Sequence, residues 1–370
     1  MNSRERFNRC LTGQPVDHLT DFEFWYWDAT LERWAAEGLP DHLVPTRRGS
    51  RDGLPEDLAR HFDFEMIHGL TIKTRFVRQP AEEVIAEDDD TETVRTEIGE
   101  ELVRFKPGRG ESIPTHTRYP VSNRDDWLRI RDEFLPLNLA PRMPENWDAL
   151  RKEYAGRDYI LNTPQMGFYG FLRNLLGVEQ VSLSIALEPA WVDEMMEHLL
   201  KLYLLVAEKI VADGVRCDIS GWWEDMCYSN GPLISPRMFE QFMVPRYQQV
   251  TDFYRRHGLH WAILDSDGNI HKLAPLWLKA GINILLPCEV AHTDTLRLRR
   301  ENPTTLWLCG GIDKRALAHG RAAIDAELER IKPVLEIGSF FPHLDHLVPP
   351  DVSLSDYMYY REKKQKLLGK

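Results

Sequence analysis

The feature that most restricts the fold is a regular alternation in the second half of the chain. From about residue 157 onward, short apolar runs recur with helical patterns between most of them, at roughly 20- to 40-residue spacing. The runs cover 159–162, 217–221, 260–264, 282–286, 305–308 and 340–341. Between them, Met195 to Ala212 carries apolar residues at helical spacing. Ser235-Pro236 opens a second helix that runs to about His257, with serine as cap and proline at the first position. Ile270 to Ala280 closes at Gly281, Leu296 to Glu301 is short, and Lys314 to Glu336 is long. Strand, helix, strand in this rhythm means βα units and a parallel sheet. That leaves a doubly wound sheet or a closed barrel. No GxGxxG follows the first strand and no Walker lysine is present. The polar residues of interest instead follow several different strands, as in a barrel whose site is built from strand ends. The expectation is an α/β fold of (β/α)8 TIM-barrel type, one domain over residues 1–370.

The first half is less regular and reads as an N-terminal extension. Ser3 to Leu11 is a short helix capped by Ser3. Asp21 to Trp27 (DFEFWYW) has strand composition, and a helix follows from about Asp28 to Glu37. Val84 to Phe105 alternates in short runs separated by acidic or glycine-containing turns. It is expected to be a small antiparallel hairpin or meander, inserted at about 83–106. Trp127 to Arg131 and Asp148 to Tyr154 are helical in pattern.

Charge and composition exclude several functions. Lys and Arg total 46 against 58 Asp and Glu, a net charge of −12 without a basic stripe, so nucleic acid is not an expected partner. No run of about 18 apolar residues exists to span a membrane. Met1 to Gln14 is polar and has no signal-peptide core. The five cysteines are scattered and form no CxxC, which argues against a disulfide framework or a zinc ribbon and for a reducing cytoplasm.

Chemistry concentrates after the apolar runs. DISGWWED (218–225) ends in Glu224 and Asp225. ILDSDGN (263–269) carries Asp265 and Asp267 two residues apart, on one face of a strand. LLPCEV (285–290) supplies Cys288 and Glu289. LWLCGGID (306–313) supplies Cys309 and Asp313. FFPHLDHLVPP (340–350) supplies His343, Asp345 and His346. In a barrel these sets meet at one mouth, bringing Glu224, Asp265, Asp267, Glu289, Asp313 and His346 together. So many carboxylates cannot all stay ionised and unpaired in a cleft, so a divalent cation, a cationic substrate or arginines must hold them. Oxygen plus imidazole ligands suit zinc, manganese or non-haem iron. Asp267 and Asp313 can alternatively cap the helices that follow them. Cys217 and Cys227 read as packed thiols, and Trp222-Trp223 as core or substrate wall.

At these residues the chain resembles uroporphyrinogen decarboxylase and its relatives, the cobalamin-linked methyltransferases. The resemblance is carried by SRERFNRCLTGQPVDH at the N-terminus, GPLISPRMFEQFMVPRYQQV (231–250), HGLHWAILDSDGN (257–269), GGIDKRAL (310–317) and HLDHLVPPDVSLSDY (343–357). It spans nearly the whole chain and implies the same barrel. The decarboxylases carry an arginine-rich signature, approximately MRQAGRY, where this chain has DFEFWYWDATLERW with only Arg33. They grip an octacarboxylate, which needs a basic cleft, whereas the mouth here is acidic. The thiol-alkylating methyltransferases hold zinc with HxCG and a later cysteine. Those positions fall on Asp265-Ser266-Asp267-Gly268 and on His346. Sulfur ligands are thus replaced by carboxylates, which leave a metal more Lewis-acidic.

The resemblance therefore implies a methyltransferase that demethylates a small O-methylated, methoxyaromatic-type molecule. Asp265, Asp267, Glu289 and His346 would hold a divalent metal, with zinc expected. Glu224 or Asp313 would orient or protonate the leaving oxygen. Trp25, Trp27, Phe168, Tyr169, Trp222 and Trp223 would wall the substrate. The methyl group would pass to cobalamin on a separate corrinoid protein, since the chain has no DxHxxG corrinoid-binding signature. Homodimerisation is also suggested by the resemblance. A uroporphyrinogen-type decarboxylase and a non-catalytic small-molecule binder are the alternatives.

Overall fold

A computed structural model describes residues 1–45, 54–106, 109–110 and 112–370. The strands are β1 (Ile67–Gly69), β2 (Glu82–Glu87), β3 (Thr91–Thr96), β4 (Glu101–Phe105), β5 (Thr115–Arg118), β6 (Ile160–Asn162), β7 (Ser220–Trp223), β8 (Cys227–Tyr228), β9 (Gly231–Pro232), β10 (Ala262–Asp265), β11 (Ile284–Leu286), β12 (Trp307–Ile312) and β13 (Phe340–Leu344). Strands β7, β10, β11, β12 and β13 lie side by side in that order, all parallel. β1 and β6 form a separate parallel pair, linked to β7 by parallel bridges from Asn162 to Ile219 and from Met166 to Trp222. Phe22 bridges Glu65 just before β1, and Tyr26 bridges Val348 just after β13. Among the described residues, the DFEFWYW stretch expected as a strand therefore pairs at these two points alone.

Burial on both faces explains why these strands are nearly continuous apolar runs. One face carries Leu161, Trp222, Leu264, Leu285, Leu308 and Leu344 and packs on the helices. The other carries Ile160, Ile219, Ile263, Ile284, Trp307, Cys309 and Phe341, which form a second, smaller core with Phe7 and Phe22. The covering helices show the matching stripe. In Pro189–Ala212, residues Val192, Met195, Met196, Leu199, Tyr203, Val206 and Ile210 are buried at three- and four-residue steps. Among the described residues, no helix is long and apolar enough to cross a membrane.

Several local expectations are corrected. Asn2, not Ser3, caps the first helix, its side chain accepting from the Glu5 amide. Val84 to Phe105 is part of a four-stranded antiparallel meander, β2-β3-β4-β5, which extends past Phe105 to Arg118. The last long helical stretch is two elements, a tight helix Lys314–His319 and an α-helix Arg321–Ile337, separated at Gly320 with φ 81°. Ser235 does cap its helix, accepting from the Met238 amide at 3.2 Å.

Candidate metal and substrate site

Register places the acids. Trp223 of β7 pairs with Asp265 of β10, and Asp265 pairs with Leu286 of β11. The three strands thus end level, and their next residues form one rim. Side-chain oxygens of Asp225, Asp265 and Asp267 lie within 4.8 Å of one another there. His346 joins them, with Nε2 3.7 Å from the Asp267 carboxylate. Asp225 reaches the cluster through a left-handed backbone turn, φ 45°, and accepts the Asp267 amide at 3.2 Å. Glu289 stands beside it, accepting the Gly268 amide at 3.0 Å.

The negative charge of this rim is only partly compensated, with the Lys314 ammonium acting on Asp267 from a distance. Arg173 pairs with Asp225 at 3.2 Å. Among the described residues, no arginine or lysine pairs with Asp265 or Asp267, and none donates a hydrogen bond to either carboxylate. Burial, reinforced by Asp225 and Asp267, pushes the Asp265 carboxyl well above its ordinary range. Burial, with Asp225 and Glu289 adding repulsion, pushes Asp267 up to about 7. Burial lowers His346, which leaves an imidazole nitrogen free to act as a ligand. Three carboxylates and one imidazole, supplied by the ends of β7, β10 and β13, fit a divalent cation with oxygen and nitrogen ligands.

The other expected site residues divide. Glu224 is fully buried and points to the opposite face, where Phe168 and Gly170 amides donate to its two oxygens at 2.8 Å and Tyr247 donates its hydroxyl. Burial raises its carboxyl to about 7, yet both oxygens are occupied, so it braces the loop at 167–170. Asp313 caps Lys314–His319 through the Arg315 amide and pairs with the Arg315 guanidinium at 2.7 Å. Neither belongs to the acidic cluster. Asp267, by contrast, caps nothing, because the next helix starts only at Ala274. Phe168, Tyr169 and Trp222 lie in the main core, Trp222 with its ring 4.7 Å from Tyr247. Trp223 is half-buried near the guanidiniums of Arg75 and Arg173. Trp27 is half-buried at the start of the helix Asp28–Ala36. Cys288 and Cys309 are buried thiols that burial pushes up, Cys288 to about 12.

Trp25 alone of the six aromatics lines a cavity of about 300 Å³, with Phe22, Phe24, Ile263, Ile284 and Leu286 as apolar wall and Glu23, Glu65 and His343 as polar wall. The cavity adjoins the acidic rim. Phe24 stacks on His346 at 5.1 Å, and Ile263 and Leu286 belong to the strands that carry and flank Asp265.

Asp225 stands in the DISGWWED motif but outside the expected converging set; it lies past the end of β7 and enters the cluster through its φ 45° turn, which leaves no trace in the residue pattern.

No family model matches the chain, and no curated protein does. Among solved structures, the chain is similar to a methyltransferase from Methanosarcina mazei, with a TM-score of 0.62 and 16% identity over 98% of this chain and 99% of that one. It also aligns with a B12-independent methionine synthase from a Shewanella species, with a TM-score of 0.44 and 13% identity over 89% of this chain and 91% of that one. The first of these likenesses establishes a shared fold.

Proposed function

We propose that the chain is a metal-dependent methyltransferase that removes a methyl group from a small O-methylated molecule and passes it to a corrinoid on a separate protein. The observation that carries this reading is the convergence of Asp225, Asp265 and Asp267 within 4.8 Å, with His346 beside them and, among the described residues, no arginine or lysine pairing with Asp265 or Asp267. We read the strand order as a (β/α)8 barrel over the whole chain. The pairings of Phe22 with Glu65 and of Tyr26 with Val348, which bring the first and last parallel segments together, support it, as does the fold shared with the Methanosarcina methyltransferase.

Asp225, Asp265, Asp267 and His346 would hold the cation, with Glu289 at its edge. A divalent ion there supplies Lewis acidity to an ether oxygen as it loses its methyl group. The chain's own residues do the rest. Arg173 positions Asp225 by pairing with its carboxylate and its carbonyl. Phe24 packs on His346 and fixes its ring. Glu224 is assigned a positioning role, holding Phe168 and Gly170 against β7. The apolar cavity takes the body of the substrate and excludes water from the reacting end. A cavity of about 300 Å³ with apolar walls suits a single ring and is too small and too apolar for a tetrapyrrole with eight carboxylates, which disfavours the decarboxylase alternative.

Elemental analysis of the purified protein tests this. A stoichiometric divalent ion is expected, lost from Asp267→Ala and His346→Ala together with corrinoid-dependent demethylation of a methoxyarene. Absence of a bound ion under non-chelating conditions overturns the reading.

A further inference from the structure

Because β1, β6 and β7 run parallel, the loops that follow them lie at one end of the strands, the end that carries the acidic rim. The loops after β1 and β6 enclose a cavity of about 350 Å³ whose charge is opposite to that of the chain. The chain has a net charge of −12, yet this wall holds three cations, Lys73, Arg75 and Arg78, and among the described residues no carboxylate.

The three cations are not equally satisfied. Arg78 is neutralised from outside the wall, its two terminal nitrogens reaching Glu97 at 2.5 and 2.6 Å. Among the described residues, neither Lys73 nor Arg75 pairs with a carboxylate. Lys73 is exposed and donates to the Val77 carbonyl at 2.8 Å. Arg75 is half-buried and donates from Nη2 to the Gln165 side-chain oxygen at 3.1 Å. Its Nε and Nη1 have no acceptor among the described residues, and both keep accessible surface. A second cavity of about 380 Å³ shares Arg75 and contains Glu100, but that carboxylate stands 3.3 Å from His116. Arg173 makes the contrast plain. Both guanidiniums lie against the Trp223 ring, 5.3 Å and 5.5 Å from its centre. Arg173 meets Asp225 at 3.2 Å; Arg75 meets no acid. Burial holds the Arg75 guanidinium below its ordinary value, with Tyr203 and Glu224 opposing. A partly desolvated cation without a counter-charge is costly, and an incoming anion relieves that cost.

The cation is also held in place. Arg142, fully buried, donates to the Lys73 carbonyl at 3.1 Å and to the Arg75 carbonyl at 2.7 Å, and its own carbonyl accepts the Lys73 amide at 3.1 Å. Thr74 donates to the Gln165 carbonyl at 2.5 Å, which ties the loop after β1 to the loop after β6. Bracing of this kind lowers the ordering cost of binding. We infer that this cavity is an oxyanion site that takes the carboxylate or phosphate group of a small molecule, with Arg75 as anchor and Lys73 at the mouth. Free guanidinium donors beside an ammonium match either group. The volume admits a ring attached to the anion, since about 150 Å³ accommodates benzene and this cavity is about 350 Å³. The site does not rest on the methyl-transfer reading.

Titration calorimetry on the full-length, chelator-stripped protein tests it, because no metal is then left at the rim for an anion to ligate. The probes are benzoate, phenyl phosphate and benzyl alcohol. At least one of the two anions is expected to bind about tenfold or more tightly than benzyl alcohol, and the tighter of the two identifies the group the site takes. Arg75→Gln is expected to lose about tenfold or more of the anion affinity and to leave benzyl alcohol unchanged, with Arg75→Lys recovering part of the loss. Lys73→Gln should weaken the anions by about threefold. The double variant Arg78→Gln, Glu97→Gln keeps the net charge and should alter anion binding by less than about twofold. Equal binding of all three probes to the wild-type protein overturns the inference, whether or not the variants fold. So does an anion preference that survives Arg75→Gln, or one that the double variant removes as fully as Arg75→Gln does. Elemental analysis remains the separate test of the rim.

Discussion

At the scale of single residues, the rim is governed by repulsion between buried carboxylates, which a retained proton or a bound cation relieves. Asp267, raised to about 7 by burial and its acidic neighbours, keeps its proton in the metal-free folded state well above the pH at which the unfolded chain releases it. Its contribution to stability is full below the unfolded value and lost as pH rises through about 7. The stripped protein should therefore melt at progressively lower temperature as pH rises from about 4 to about 7 and level off above that. Metal affinity should rise over the same interval, because binding displaces those protons. Calorimetric melting and metal titration at several pH values check both trends, and Asp267→Asn should flatten the first. Glu224 behaves differently because its oxygens are already filled. Tyr247→Phe removes one donor and should lower unfolding free energy by about 1–3 kcal/mol, read by urea denaturation, without removing the metal.

At the scale of elements, backbone approach rather than side-chain chemistry sets tolerance. Gly310 of β12 has φ 97°, and a Cβ there would sit 1.7 Å from the Pro287 carbonyl oxygen. Gly310→Ala should cost more than about 2 kcal/mol, combining a disfavoured conformation with a backbone clash; a denaturant midpoint near wild type would refute this. The βα rhythm was legible because strands buried on both faces must be apolar runs, and the long helices between them carry a clear stripe. What it missed is short: β1 is three residues long and leaves no period to detect, whereas the DFEFWYW stretch, expected as a strand from its composition, pairs singly at Phe22 and Tyr26. Asp265, Asp267 and His346 were legible from strand ends. Glu224 and Asp313 were misplaced because a strand end does not say which face the next residue takes: alternation turns Glu224 toward the helices, and capping captures Asp313.

At the scale of the whole molecule, the C-terminal helix Leu354–Leu368 fastens the chain's beginning to its end. Arg361 and Lys364, both buried, reach Asp21 and Glu23, and Tyr357 meets the Tyr26 hydroxyl at 2.6 Å. Removing one partner of such a network strands the other charge in low dielectric, so Lys364→Met should cost about 3–5 kcal/mol, measured by chemical denaturation; a cost below about 1 kcal/mol would mean the ion pairs are interchangeable with water. Glu23 belongs to this clasp through its carboxylate, and the same residue lines the cavity. A lineage that altered its taste in ligands by replacing Glu23 would loosen its own closure in the same step, so new specificities should arise first among the aliphatic wall residues, where a change of shape leaves the clasp intact.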